Sequence, residues 1–455
     1  MRLTSKTLVA AGVLVAAFTL AAAAAPVSQA GHAIATHQTG ILGQADSSAT
    51  TVPPAVAPTA YVKEALDFIE VASFRLGTVD WRGIRAAAES SATAATSSAD
   101  SYEIISGVLK SINDKHSSFT RPPQAQLQTL GAYNGFGFVA VWPSRTVVTT
   151  TAGAPAVKAG LRVGDRIVKI DGKEPVHNNT NIVVPRGRNG EFPSKIVVTI
   201  SRKGVRGTKN LSMAVGAVTL VSVPTAAVVE PPKVGGVIGA FGYIDVPGII
   251  GDPTAQKQYA QILQDAIRAT DAAPRCGWIV DLRLNRGGYI YAMLSGLGPI
   301  LGSGPVAGQL NAAGTRTMWT YADGTVFSGE TPTVGVDQPY RVVNPDPAVA
   351  VLTSGLTASA GEAVTIAFRG RPNTRSFGEK TTGLTTFNVR KRMPDGAFLD
   401  ILNAVDIDRA GNTYDGPVPP EQPVAIDWRN IGNQADPVLL AATRWLSEQT
   451  SCKQS

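Results

Sequence analysis

Three short runs in this sequence carry groups that could do chemistry. The first is Leu352-Thr353-Ser354-Gly355-Leu356-Thr357-Ala358-Ser359-Ala360-Gly361-Glu362. An apolar strand passes through a turn of small residues into a helix, and Ser359 stands where the helix begins. Its Oγ would lie near the positive end of the helix dipole, which suits a developing alkoxide or oxyanion. The N–H of Ala360 would point to the same place. Ser359-x-x-Glu362 also has the spacing of a capping box, and the two readings are compatible. The second run is Asp281-Leu282-Arg283-Leu284-Asn285-Arg286-Gly287-Gly288. A strand that ends in a Gly pair can turn its amides into an anion-binding nest. The same pair would equally serve a plain strand-to-helix turn that needs positive φ. The third is His116, in the polar turn Asn113-Asp114-Lys115-His116-Ser117.

Counts narrow the chemistry. The chain has 455 residues and four histidines: His32, His37, His116 and His177. The first two lie in the N-terminal stretch ahead of residue 58, and His177 is remote from the other two runs. No His-x-x-x-His or Cys-His spacing supports a metal, so no metal and no cofactor is expected. Two cysteines, Cys276 and Cys452, exclude a disulfide scaffold, and nothing in the sequence places them together. The hydrophobic share of 44% and charged share of 16% are those of a globular chain. The net charge of +7 includes Arg2 and Lys6 of the leader, and the remaining Lys and Arg are scattered among acids. No basic stripe marks a nucleic-acid partner.

The elements that must position these groups fall into blocks. Residues 1–30 read as a signal peptide: a basic start, an apolar Ala-rich run, and Ser28-Gln29-Ala30 as a small-x-small cleavage site. An uncleaved leader would instead tie the chain to a membrane; either way the folded part works outside the cytoplasm. Residues 31–57 have a linker composition. Residues 58–125 form a helical unit. Val62, Ala65, Leu66, Ile69 and Ala72 recur at helical spacing, a second helix covers Trp81–Ala95, and a third covers Ser101–Ile112 with Ile104, Ile105, Val108 and Leu109 inward. Residues 130–218 hold short β-runs: Phe136–Val141, Thr146–Thr151, Arg166–Ile170 and Ile196–Ser201. Residues 236–450 alternate strands and helices, the mark of a layered α/β domain. In that block Trp278–Leu282 and Ala348–Leu352 read as buried strands. Helices are expected over Thr254–Ala269, with Tyr259, Ile262, Leu263 and Ile267 inward, over Ala360–Phe368 and over Asp436–Glu448.

Within the β-rich block, the run from Ala154 to Ile167 (Ala-Pro-Ala-Val-Lys-Ala-Gly-Leu-Arg-Val-Gly-Asp-Arg-Ile) resembles the PDZ domains attached to proteases. In that resemblance Gly135-Phe136-Gly137-Phe138 is the carboxylate-binding loop, where a peptide would add as a strand. The order of motifs resembles the carboxy-terminal processing (tail-specific) serine peptidases and their tricorn-core relatives. That order is Asp-Lys-His-Ser, the PDZ pattern, Gly242-Tyr-Ile-Asp-Val246, Asp-Leu-Arg-x-Asn-x-Gly-Gly, Thr-Ala-Ser-Ala-Gly-Glu, and Gly378-Glu-Lys-Thr-Thr-Gly383. The resemblance implies a crotonase/ClpP-like α/β peptidase core with an N-terminal helical unit and an inserted PDZ-like domain. It implies Ser359 as nucleophile, with the N–H of Ala360 and one from Gly287 or Gly288 as the oxyanion hole. The Ser–Lys branch carries a lysine where this chain has Leu384, and Lys380 does not match it. The tricorn-like Ser–His branch takes a histidine from the segment ahead of the core, which here is His116. That branch also places a carboxylate near the chain's end; Asp415 is the candidate, with Asp406 and Asp408 as alternatives. The implied function is a secreted serine endopeptidase acting on polypeptides, including near their C-termini. The competing reading is a non-catalytic ligand- or peptide-binding protein on the same fold.

Overall fold

Helices open the described part of the chain. The structure, a computed structural model, describes residues 56–178, 180–186, 191–220, 223–230, 240–272 and 275–453. The expected leader, and all but the end of the expected linker, lie outside these residues. Helix α1 spans Pro58–Ala72, α2 Trp81–Ala94 and α3 Ser98–Ile112; strand β1 (Ser118–Thr120) and α4 (Pro122–Thr129) follow. α1 buries Tyr61, Val62, Ala65, Leu66, Ile69 and Ala72, one stripe at helical spacing. α3 begins earlier than its apolar pattern indicated, because Ser97 and Asp100 cap it reciprocally. Its buried face is Ser101, Ile105, Val108 and Ile112, with Ile104 and Leu109 half-buried at the margin. These helices do not close a core alone. Their apolar faces share one cluster with Met393, Leu399 and Ile401.

A β-rich unit comes next: β2 (Ala132–Gly135), β3 (Phe138–Ala140), β4 (Val147–Thr150), α5 (Pro155–Lys158), β5 (Arg166–Ile170), β6 (Lys195–Ser201), β7 (Lys209–Ala214) and β8 (Gly216–Thr219). β2 and β8 pair antiparallel, so the chain enters and leaves through one two-stranded ribbon. The run expected as a single strand over Phe136–Val141 is broken at Gly137. Its φ is 76°, and a Cβ there would come within 2.3 Å of the Ala154 methyl.

The remaining chain builds two sheets. Its elements are β9 (Thr225–Val229), β10 (Phe241–Asp245), α6 (Pro253–Thr270), β11 (Gly277–Asp281), α7 (Ile290–Leu301), β12 (Gly304–Asn311), β13 (Arg316–Ala322), β14 (Thr325–Ser328), β15 (Thr331–Gly335), β16 (Ala348–Thr353), α8 (Ala360–Ala367), β17 (Thr374–Gly378), β18 (Thr386–Arg392), β19 (Phe398–Asp408), β20 (Thr413–Tyr414), β21 (Gln422–Pro423) and α9 (Pro437–Ser447). The first sheet runs β21-β17-β16-β11-β10-β9, parallel except for the edge strand β9. Every residue of β11 and β16 is buried, as two-sided cover of a parallel sheet requires. Trp278, Val280, Val349 and Val351 face α6, α7 and α8, while Ile279 and Ala350 face α9. Cys276 and Cys452 are joined in a disulfide beside α9, with Cα atoms 4.8 Å apart. Ile262, expected inside, is 40% exposed because the stripe of α6 centres on Tyr259, Leu263 and Ile267.

The second sheet departs from simple strand–helix alternation. Residues 304–335 form an antiparallel meander, β12 to β15, with no helix between strands. The long strand β19 joins it to β1, β18 and β20. The chain is thus an α/β protein in which a parallel sheet and an antiparallel sheet meet around α8.

Candidate active site

The two loops expected to carry chemistry leave the C-terminal ends of β11 and β16, which are neighbours in the parallel sheet. Cross-bonds hold the loops together. Ser354 Oγ donates to the Arg283 carbonyl (2.6 Å), Thr357 Oγ1 to the Leu282 carbonyl (2.9 Å), and the Ala358 N–H to the Asn285 carbonyl (3.0 Å). At the end of this bracing Ser359 has φ 52° and ψ −122°, a conformation that non-glycine residues rarely adopt. Such strain persists only where the surroundings over-determine it.

Glu362 supplies much of that determination. It accepts from the N–H of Ser359 (2.9 Å), the N–H of Gly383 (2.7 Å), the N–H of Leu384 (2.7 Å) and Thr381 Oγ1 (2.5 Å). Burial pushes its carboxyl upward, and the four donors pull against that. The residue read as a helix cap therefore also fastens the 381–384 loop beneath the nucleophile. Leu384 takes part through its backbone alone.

The antiparallel side brings the histidine. α3 ends at Asn113, in left-handed backbone, and Asp114 folds the next turn. Asp114 Oδ1 accepts the N–H groups of His116 (3.0 Å) and Ser117 (2.7 Å). Asn388 Nδ2 donates to the His116 carbonyl (3.0 Å), and the Leu402 N–H donates to Ser117 Oγ (2.9 Å). So held, His116 Nε2 lies 3.1 Å from Ser359 Oγ, and Nδ1 lies 2.5 Å from Thr386 Oγ1. The pair fits the tautomer in which Nδ1–H donates to Thr386 and Nε2 accepts from the serine hydroxyl. Burial pushes the imidazole below its ordinary 6.5, opposed by the charges of Asp114 and Asp400. A neutral ring able to accept a proton follows.

None of the three carboxylates considered for His116 is hydrogen-bonded to it. Asp415 is a correction: its half-exposed carboxylate takes Arg75 Nη2 at 2.6 Å, and the place beside Nδ1 is filled by Thr386. Asp408 accepts from Asn412 and Tyr414 in the β19–β20 turn. Asp406 is fully buried, and desolvation, with Glu362 nearby, raises its carboxyl far above the usual range. Neither Thr386 nor Asp114 was given a role from the sequence, although Asp114 stands in the Asp-Lys-His-Ser motif. Thr386 has no motif, and Asp114 offered only its spacing of two residues before His116.

The glycine pair lies against the nucleophile. A Cβ on Gly287 would come within 2.8 Å of Ser359 Cβ and 3.3 Å of the Ala360 nitrogen. The Gly287 N–H is already taken by Asn285 Oδ1 (2.9 Å). Among the described residues no protein acceptor takes the N–H of Gly288 or of Ala360. The Gly287 carbonyl faces Gly248, so the trans peptide turns the Gly288 N–H the opposite way.

The β-rich unit docks beside this loop. Val139, Val141 and Val148 pack with Leu284, Leu356 and Trp428. In Gly135-Phe136-Gly137-Phe138 the Phe136 ring is buried against Phe192. The N–H groups of Phe136 and Gly137 have no protein acceptor among the described residues. No group of three or more His, Cys, Asp and Glu side chains among the described residues could hold a metal ion.

Residues 240–424 match the model of peptidase family S41, and residues 146–183 match that of a PDZ domain. Those two stretches resemble an S41 peptidase core and a PDZ domain. It is similar to the nisin-resistance protein of Lactococcus lactis subsp. lactis, 29% identical over 192 residues, covering 41% of this chain and 58% of that one. The chain thus spans less than two thirds of that relative's length. It is also similar to the chloroplastic C-terminal processing peptidase of Tetradesmus obliquus, 26% identical over 368 residues, covering 75% and 73% of the two chains. The fold is that of the photosystem II D1 C-terminal processing protease, with a TM-score of 0.55, 20% identity, and 84% and 100% of the chains covered. It is shared with a lipoprotein from Streptococcus agalactiae, with a TM-score of 0.51, 19% identity, and 82% and 93% covered. The S41 match spans β10 to β21, including both glycines and Ser359; His116 lies outside it.

Proposed function

We propose that this chain is a serine endopeptidase of the S41 kind that cleaves polypeptides outside the cytoplasm, with Ser359 as nucleophile and His116 as general base. The observation that carries the reading is the 3.1 Å approach of His116 Nε2 to Ser359 Oγ, made by residues 243 apart in sequence. Ser359 Oγ attacks the scissile carbonyl as its proton passes to Nε2. The N–H groups of Ala360 and Gly288 receive the oxyanion, since Gly287's N–H is already bound within the loop. The imidazolium returns its proton to the leaving amine, leaving an acyl-enzyme. Water, deprotonated by the same ring, then releases the acid and restores Ser359. Thr386 holds the ring in the required tautomer.

The PDZ unit would present a substrate C-terminus: the open N–H groups of Phe136 and Gly137 suit a carboxylate, and the unit touches the nucleophile loop. The Cys276–Cys452 disulfide supports an oxidising compartment, as does the leader read in the sequence.

The test is digestion of unfolded casein by wild type, Ser359→Ala and His116→Ala. Both variants should lose about 10⁴-fold or more in kcat/KM. Undiminished cleavage by Ser359→Ala would remove it from the mechanism, and full activity of His116→Ala would remove the histidine. A folded wild type that cleaves nothing and leaves Ser359 unlabelled by serine-directed probes would favour a binding protein.

A further inference from the structure

The helix that starts at Ser359 has a second end. Beyond the C terminus of α8 lies an open cavity of about 520 Å³, between the end of α7, the segment before β16, the turn before β17 and the β19–β20 turn. None of its lining residues belongs to the Ser359–His116 site. Arg371 and Arg409 both reach it. Arg371 is 8% exposed, and its Nη1 donates to the carbonyls of Pro347 (3.0 Å) and Pro372 (2.9 Å) and to Thr374 Oγ1 (3.0 Å). Arg409 Nη2 donates to the Ala367 carbonyl (2.8 Å), while its buried Nε has no partner. All of these acceptors are neutral oxygens.

Two guanidinium charges are therefore brought together without a carboxylate in hydrogen-bond contact. Burial, with Arg409 beside it, pushes Arg371 down to about 10, opposed by Asp346. Burial also lowers Arg409, opposed by Asp408. Asp408 is committed to Asn412 and Tyr414, which leaves Asp346 as the acid on the cavity wall nearest to this pair. Desolvated cations without a matched anion are costly, and guanidinium groups are well shaped to bind an oxyanion. The wall also carries the exposed Arg341–Asp323 ion pair, while Pro299, Val342 and Tyr340 give it an apolar and aromatic face. A volume of this order suits a small organic ligand.

We propose that this cavity binds an organic carboxylate with an apolar or aromatic body, its carboxylate held by Arg371 and Arg409 and its body against Tyr340 and Val342. The site stands apart from the peptidase reading and would survive its failure.

The experiment uses full-length Ser359→Ala protein, to prevent turnover, in buffer free of phosphate and carboxylates. Calorimetric titration compares N-acetylphenylalanine, N-acetylphenylalaninamide and inorganic phosphate. The acid should bind, and the amide should bind about tenfold or more weakly, as loss of a charged hydrogen bond implies. Adding Arg409→Gln should weaken the acid by a similar factor, and adding Asp346→Asn should tighten it about threefold by removing a competing negative charge. Arg371→Lys serves as a second variant, with each fold checked by circular dichroism. The proposal is overturned if acid and amide bind alike, if the acid does not bind, or if Arg409→Gln and Arg371→Lys both leave its affinity unchanged. Binding of phosphate in place of the acid overturns the organic body.

Discussion

The two sides of the catalytic contact are built in opposite ways. The nucleophile side is densely braced: two loops from adjacent parallel strands, 71 residues apart at the Ser354–Arg283 bond, are tied by Ser354, Thr357, Asn285 and Glu362 and hold Ser359 in a strained conformation. The base side is assembled from distant pieces. His116 comes from the turn after α3, Thr386 and Asn388 from β18, and Asp400 from β19. The difference shows where each kind of demand is met. A strained backbone needs many bonds from the loops packed directly against it, whereas a ring's orientation and basicity can be set by a few single groups from separate elements.

Replacements on the two sides should separate strain from orientation. The largest effect is expected at Glu362, whose loss strands four donors. Glu362→Ala should cost about 3 kcal/mol or more in denaturant unfolding, with activity lost well before the protein unfolds. Wild-type activity at wild-type stability would show that the nucleophile turn holds itself. On the base side, Thr386→Val should fold normally and lower kcat/KM about tenfold, or 1.4 kcal/mol, with KM little changed, while Thr386→Ser recovers most of it. A Val variant as active as wild type would free His116 of any need for that hydroxyl.

The pH profile gives a smaller, sharper reading. His116 must be neutral to accept a proton, and its affinity for protons is depressed by burial. The rate should therefore rise with pH through a midpoint below 6.5 and then level off. Asp400 supports the protonated ring, so Asp400→Asn should move that midpoint lower still; a move upward would contradict its electrostatic role. The smallest effect is expected at Asp415. Its ion pair with Arg75 is largely in solvent, and Asp415→Asn should change kcat/KM by less than about twofold. A large loss there would restore it as the partner of His116.

How legible this was in the sequence follows the same division. The buried strands around Trp278–Val280 and Ala348–Leu352, the stripe of α1 and the small-residue turn before Ser359 were visible, because each is a pattern within a dozen residues. The meander over 304–335 was not, since short half-buried strands carry weak alternation. Thr386 carried no signal at all. A threonine at the start of a strand is commonplace, and its value lies in the 270 residues separating it from His116.

The sequence alone determined which groups were available: Ser359 after the Ala348–Leu352 strand, the glycine pair after the Trp278–Leu282 strand, and His116. Local propensity and composition suffice for that. Only the tertiary structure decided which of them meet. It replaced Asp415 with Thr386, separated the roles of the Gly287 and Gly288 amides, and joined Cys276 to Cys452. The histidine's partner and the disulfide depend on strand pairing and packing across 270 and 176 residues, and that is not encoded in the spacing of any one motif.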